Sequence, residues 1–162
     1  MRKILVPIDL SKISEEALRH AVECPCAETR ELILLHVVDP LDIKSLGLVG
    51  LVDREQELRD EMEKEGRRHL DELVKKYARD GLSFKTRIVF DRPWRGIINT
   101  AIDEQADAII MGSHGRGRIA EQLLGSVAER VVRKAPVPVT IIRPRKMRDH
   151  LIARWRHLGK ES

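Results

Sequence analysis

Ile4-Leu5-Val6-Pro7-Ile8 is a continuous apolar run that ends on Asp9, and Leu32-Ile33-Leu34-Leu35-His36-Val37-Val38 is a second, closed by Asp39-Pro40. Runs of this length without polar alternation describe strands covered on both faces. Asp107-Ala108-Ile109-Ile110-Met111 and Val137-Pro138-Val139-Thr140-Ile141-Ile142 read the same way, whereas Phe84-Lys85-Thr86-Arg87-Ile88-Val89-Phe90 alternates and belongs near a sheet edge. Helical spacing fills the intervals. Ser11 or Ser14 caps a helix entered through Glu15-Glu16-Ala17-Leu18; a long charged helix from about Asp53 to Arg79 carries Leu58, Met62, Leu70, Leu73 and Tyr77 as its stripe; and Pro93 starts a helix with Ile97, Ile98, Ala101 and Ile102 on one side. The mixed, glycine-containing segment from Pro40 to Leu51 reads as a mobile connection. Strictly alternating strands and helices predict an α/β domain: an open five-stranded parallel sheet, helices on both faces, right-handed crossovers.

Such sheets bind ligands beyond the carboxyl ends of their strands, where Asp9, Val37 and Gly112 fall. The fourth strand runs into Met111-Gly112-Ser113-His114-Gly115, and nine residues later comes Gly125-Ser126-Val127. Glycines at Gly112 and Gly115 suit a tight turn needing positive φ, and Gly125-Ser126 caps an amphipathic helix ending at Lys134 whose first N–H groups lack helical partners. Two peptide-lined corners of this kind suit a phosphate. A plain glycine turn and an ordinary capped helix would satisfy the same spacing.

Composition narrows the class. Of 162 residues, 42% are hydrophobic and only 3% aromatic, so the core is aliphatic, and 35% are charged, as expected of a globular chain with a well-solvated surface. The formal charge of +4 is uneven, because seven Lys or Arg stand against Asp149 and Glu161 from Arg143 onward. The body is thus nearly neutral, and nucleic-acid binding by the folded domain is disfavoured. Cys24 and Cys26 flank Pro25, too close to staple distant elements, and read as buried or idle thiols. The N-terminus lacks a signal-peptide pattern and no apolar run approaches membrane length, so a cytoplasmic location is expected.

The Gly-Ser-His-Gly-Arg-Gly loop, the Leu-Leu-Gly-Ser-Val-Ala-Glu-Arg helix start, the closing Val-Pro-Val-Thr-Ile-Ile strand and the opening Ile-Leu-Val-Pro-Ile-Asp-Leu-Ser together resemble a universal stress protein over roughly residues 2 to 143. All three glycines and the following hydroxyl are present, as in the nucleotide-binding branch. That resemblance implies an adenine nucleotide alpha hydrolase-like sheet of order 3-2-1-4-5 and a domain over 1–143; the basic, helical tail over 144–162 departs from the usual family ending. It implies ATP, or AMP or ADP, as ligand. Pro7 and Asp9 would lie beside the nucleoside and metal-phosphate region, and the Val37 backbone at the adenine edge. Met111, Gly112 and Gly115 would line ribose and phosphates, with Ser113, His114 and Arg116 in the same loop, and Gly125, Ser126 and Val127 would hold the far phosphates. Mg2+ or Mn2+ would bridge the phosphates near Asp9. For Asp9 a simple turn-capping role stays open, His36 reads as a packed core histidine, and His114 could equally face solvent.

No Gly-x4-Gly-Lys-Ser/Thr sequence occurs, which excludes a P-loop ATPase. Gly115-Arg116-Gly117-Arg118-Ile119-Ala120 spells a dinucleotide fingerprint but lacks the acidic residue that should follow. No nucleophile elbow or catalytic base is identifiable. Two functions therefore compete: a nucleotide-dependent switch docking an unknown partner, and a slow, partner-activated ATP hydrolase. The resemblance further implies a homodimer through strand 138–142. In the tail, Leu151, Ile152, Trp155 and Leu158 recur at helical spacing among basic residues. A helix laid on its own body or on a partner subunit is the first reading, a membrane surface or acidic partner the second.

Overall fold

A computed structural model describes residues 1–24, 29–47, 55–115 and 124–158. Five strands, β1 (Arg2–Pro7), β2 (Arg30–Val38), β3 (Leu82–Phe90), β4 (Ala108–Gly112) and β5 (Val139–Ile142), form one sheet of order β3-β2-β1-β4-β5. Every pairing is parallel. Strand order, orientation and the edge position of β3 are as the patterning and the resemblance predicted. β5 is shorter than its apolar run, beginning at Val139 rather than Val137.

Six helices follow in chain order among the described residues: α1 (Lys12–Glu23), α2 (Pro40–Gly47), α3 (Glu55–Tyr77), α4 (Pro93–Asp103), α5 (Ser126–Lys134) and α6 (Arg145–Leu158). Side chains along a strand alternate between faces, and the two cores divide accordingly. Ile4, Val6, Leu32, Leu34 and Ile110 pack beneath α1 and α3, against Ala17, Leu18, Leu70 and Leu73. Leu5, Ile33, Leu35, Ile109 and Met111 face α4 and α5, against Ile97, Ala101, Ala128 and Val131. Because each central strand is covered on both sides, its sequence shows no polar alternation.

The segment from Pro40 expected as a mobile connection is helical through Gly47; residues 48–51 lie outside the described set. Asp39 explains the difference. Its carboxylate accepts the Leu41 N–H at 2.9 Å and its carbonyl the Asp42 N–H at 3.0 Å, while Pro40 needs no donor and Ile43 is buried. Cys24, expected as an idle thiol, is disulfide-bonded. Ile152 and Trp155 of the C-terminal helix are 44% and 77% exposed, so these two side chains are not covered by their own domain.

On the edge remote from the strands' carboxyl ends, Glu104 at the end of α4 is nearly buried and holds Lys85 at 2.5 Å and Arg87 at 2.6 Å, both from β3. These two bonds, the one to Lys85 foremost, hold its carboxyl below the usual glutamate range against the opposing effect of burial.

Candidate nucleotide-binding site

At the carboxyl end of the sheet, where the chain reverses direction across it between β1 and β4, opens a cavity of about 390 Å³. That is the position and size expected of a small-molecule site in a doubly wound sheet. β1 supplies Pro7 and the turn Ile8, Asp9 and Leu10; β2 supplies His36, Val37 and Val38; β4 and its loop supply Met111, Gly112, His114 and Gly115; α5 supplies Ser126, Val127 and Ala128 behind Gly125. Segments more than a hundred residues apart thus share one wall.

The Asp9 turn is built locally. Asp9 Oδ1 accepts the Ser11 N–H at 3.1 Å and the Ser11 hydroxyl at 2.5 Å, and the Asp9 N–H donates to Ser14 Oγ at 3.3 Å. Ser11 in turn caps α1 by accepting the Ser14 N–H at 3.2 Å. Closing this turn drives Leu10 to a φ of +65°, a left-handed conformation costing a non-glycine residue about 1–2 kcal/mol. Its side chain packs on the α1 core in return. One carboxylate oxygen of Asp9 is therefore a turn acceptor, and the other faces the glycine loop: a Cβ on Gly115 would stand 2.6 Å from Oδ2.

The glycines do not serve the purpose expected of them. Among the described glycines only Gly81 has positive φ. Gly112 and Gly115 are instead places of close approach. A Cβ on Gly112 would meet Ile13 Cγ2 at 2.4 Å, so this glycine lets β4 end against α1, while Gly115 makes room for Asp9. Ser113 turns inward. It is fully buried and does not line the cavity; its N–H donates to Ile142, its carbonyl accepts Gly125 N–H at 2.8 Å, and its hydroxyl lies 3.0 Å from His114 Nδ1. The Gly125 N–H is thereby occupied too. What Gly125 contributes is its extended φ and ψ before α5, which puts Ser126, Val127 and Ala128, the first turn of the helix, among the residues lining the cavity. Arg116 lies outside the described residues.

Ser14, His36, Asp42 and Glu65 line the cavity without having been expected there. His36, taken as a core histidine, is buried yet lines the cavity, with Nδ1 2.8 Å from the Ile8 carbonyl. Nδ1 therefore carries the proton. Gly66 of α3 presses on the same ring, since a Cβ there would lie 2.6 Å from His36 Cδ2. Asp42 of α2 and Glu65 of α3 add carboxylates on the β2 side. Neither sits in a motif; only the packing of α2 and α3 brings them here. The cavity thus has Asp42 and Glu65 on the β2 side and the start of α5, with Asp9 and Gly115, on the other. Met62, Pro93 and Ile97 give apolar surface to the wall.

The universal stress protein family model matches residues 1–143. Universal stress protein MJ0577 of Methanocaldococcus jannaschii is 37% identical over 153 residues, spanning 88% of this chain and 94% of its own. A solved structure of MJ0577 aligns with a TM-score of 0.79 over 89% of this chain and 96% of that one, at 37% identity. At lower identity the fold is shared with a universal stress protein in complex with cAMP (22% identity, TM-score 0.57, 88% and 96% covered). It is shared also with an Arabidopsis thaliana family protein with AMP bound (19%, TM-score 0.59, 88% and 92% covered). Sheet order, the glycine-lined cavity and the span of the match together make this chain a member of the universal stress protein family.

Proposed function

We propose that this protein binds an adenine nucleotide, ATP or its AMP or ADP counterparts, in the cavity at the carboxyl end of the sheet, and that occupancy switches what the protein docks against. One observation carries the reading: the first turn of α5, where helical N–H groups lack helical acceptors, and the Asp9–Gly115 approach line the same cavity whose opposite flank, formed by β2, α2 and α3, is apolar and acidic. Helix-terminal amides suit phosphates, whereas carboxylates such as Asp42 and Glu65 suit the hydroxyls of a ribose and would repel phosphate. A nucleotide laid with its base toward Val37 and its phosphates toward Ser126 and Val127 satisfies both flanks. The cAMP and AMP complexes concern proteins that share the fold; the polarity of this cavity is what speaks for the present chain.

Among the described lining residues there is no Lys or Arg. A divalent ion beside Asp9 would neutralise the phosphates, and its remaining ligands would be phosphate oxygens and water, since no cluster of three or more His, Cys, Asp or Glu exists among the described residues. β5 ends the sheet with one unpaired backbone edge, which supports a homodimer through strand 138–142. Titration calorimetry with ATP, ADP and AMP tests the binding; absence of saturable heat with any of them overturns it. Turnover of ATP on the same preparation separates switch from hydrolase, and sedimentation at micromolar concentration tests the dimer.

A further inference from the structure

Helix α6 carries five basic residues, Arg145, Lys146, Arg148, Arg154 and Arg156, against one acid, Asp149. It is not among the elements that pack closely on one another. Met147, Leu151 and Trp155 recur every four residues and form a stripe, from which Ile152 is separated by Arg148. Exposure rises outward along the stripe: Met147 and Leu151 are half-buried and Trp155 is 77% exposed, while Ile152 is 44% exposed. At about 100° of rotation per residue, Arg148 and Arg154 fall on either side of the stripe.

We infer that α6 is a membrane-surface anchor that lies in the plane of a bilayer rich in anionic lipid, its apolar stripe in the interface and its flanking arginines on headgroup phosphates. The arrangement is that of an interfacial helix, in which basic side chains lay their stems along apolar surface and keep their charge at the polar boundary. An exposed indole at the outer end adds the residue that such boundaries favour. Fourteen residues make a helix of roughly 21 Å, shorter than the hydrocarbon core of about 30 Å, so α6 lies on the membrane and does not span it. No helix among the described residues is long and apolar enough to cross. Charge decides between occupants. A second copy of α6 would oppose one basic row with another, and a nucleic acid would engage the arginines while leaving Ile152 and Trp155 in water. An anionic bilayer takes both the charge and the stripe. This anchoring is separate from nucleotide binding, because none of its residues lines the cavity.

Co-sedimentation of the full chain with phosphatidylserine–phosphatidylcholine vesicles and with phosphatidylcholine vesicles tests the anchor without nucleotide. Binding to the anionic vesicles is expected to be at least about tenfold stronger and to weaken with salt. Trp155→Ser is expected to weaken it about tenfold and to abolish the blue shift of tryptophan emission that vesicles produce. Arg148→Gln/Arg154→Gln/Arg156→Gln is expected to erase the preference for anionic lipid. Equal partition onto both vesicles, or unchanged binding by Trp155→Ser, overturns the proposal. So does a fall in the lipid-free assembly mass of Trp155→Ser, which would assign the stripe to a contact between copies, or complete competition by an RNA homopolymer.

Discussion

Gly115 stands directly against the carboxylate of Asp9: a Cβ added to the glycine would come within 2.6 Å of Oδ2. The contact ties the loop after β4 to the turn after β1, and so sets the distance between two walls of the cavity. Gly115→Val is expected to push the carboxylate aside and lower ATP affinity at least about tenfold, with little change in unfolding midpoint, because the residue lies in an exposed loop. Calorimetric titration beside a urea melt measures both. Undiminished affinity would mean that the Asp9–Gly115 distance does not matter for the ligand.

Gly112 tests the opposite balance. Its missing Cβ is what lets β4 end against α1, because a Cβ there would collide with Ile13 Cγ2, so Gly112→Ala overpacks the junction of β4 and α1. A loss of about 1–3 kcal/mol is expected in urea unfolding. Ile13→Ala removes the opposing methyl, and the double variant should recover part of the loss.

Gly66 and His36 give a prediction whose sign reverses with background. Alanine in a helix interior is normally favoured over glycine by about 0.5–1 kcal/mol. Here the new Cβ meets His36 Cδ2 at 2.6 Å, and the ring is held by the Ile8 carbonyl, so Gly66→Ala is expected to destabilise. In a His36→Ala background the same change should stabilise, by up to about 1 kcal/mol. Destabilisation in both backgrounds would exclude the ring as the obstacle.

Glu104 should give the acid limb of the stability curve part of its slope. Its folded pKa is lowered by its bonds to Lys85, first, and Arg87, so the stability it supplies is fully present above the ordinary glutamate value near 4.5 and disappears as pH falls through the lowered value. Glu104→Gln is therefore expected to cost stability at neutral pH and to converge on the parent protein in acid. Denaturant melts at a series of pH values show the convergence.

Gln105 holds a φ of +54° in an exposed turn after α4. Glycine adopts that conformation without a Cβ clash, so Gln105→Gly is expected to raise stability by about 1 kcal/mol, read from the unfolding midpoint.

The architecture was legible from the chain because its signals are local. Unalternated runs at Ile4–Ile8, Leu32–Val38 and Ala108–Met111 mark strands covered on both sides, the alternating run from Phe84 marks an edge, and capping residues mark where helices start. Strands separated by helices then leave few topologies. The spacing of Gly112, Gly115 and Gly125 likewise pointed to the cavity's β4 and α5 walls. Tertiary structure decided what those residues do there. Gly112 answers to Ile13, nearly a hundred residues earlier, Gly115 to Asp9, and Gly125 spends its amide on Ser113, which itself turns inward. Asp42 and Glu65 reach the site only because α2 and α3 fold back over the end of β2, the strand that itself carries His36. Periodicity reports which face of an element is covered. It carries no record of which distant side chain does the covering, and that pairing, set by how the crossovers pack, determines the polarity of the cavity.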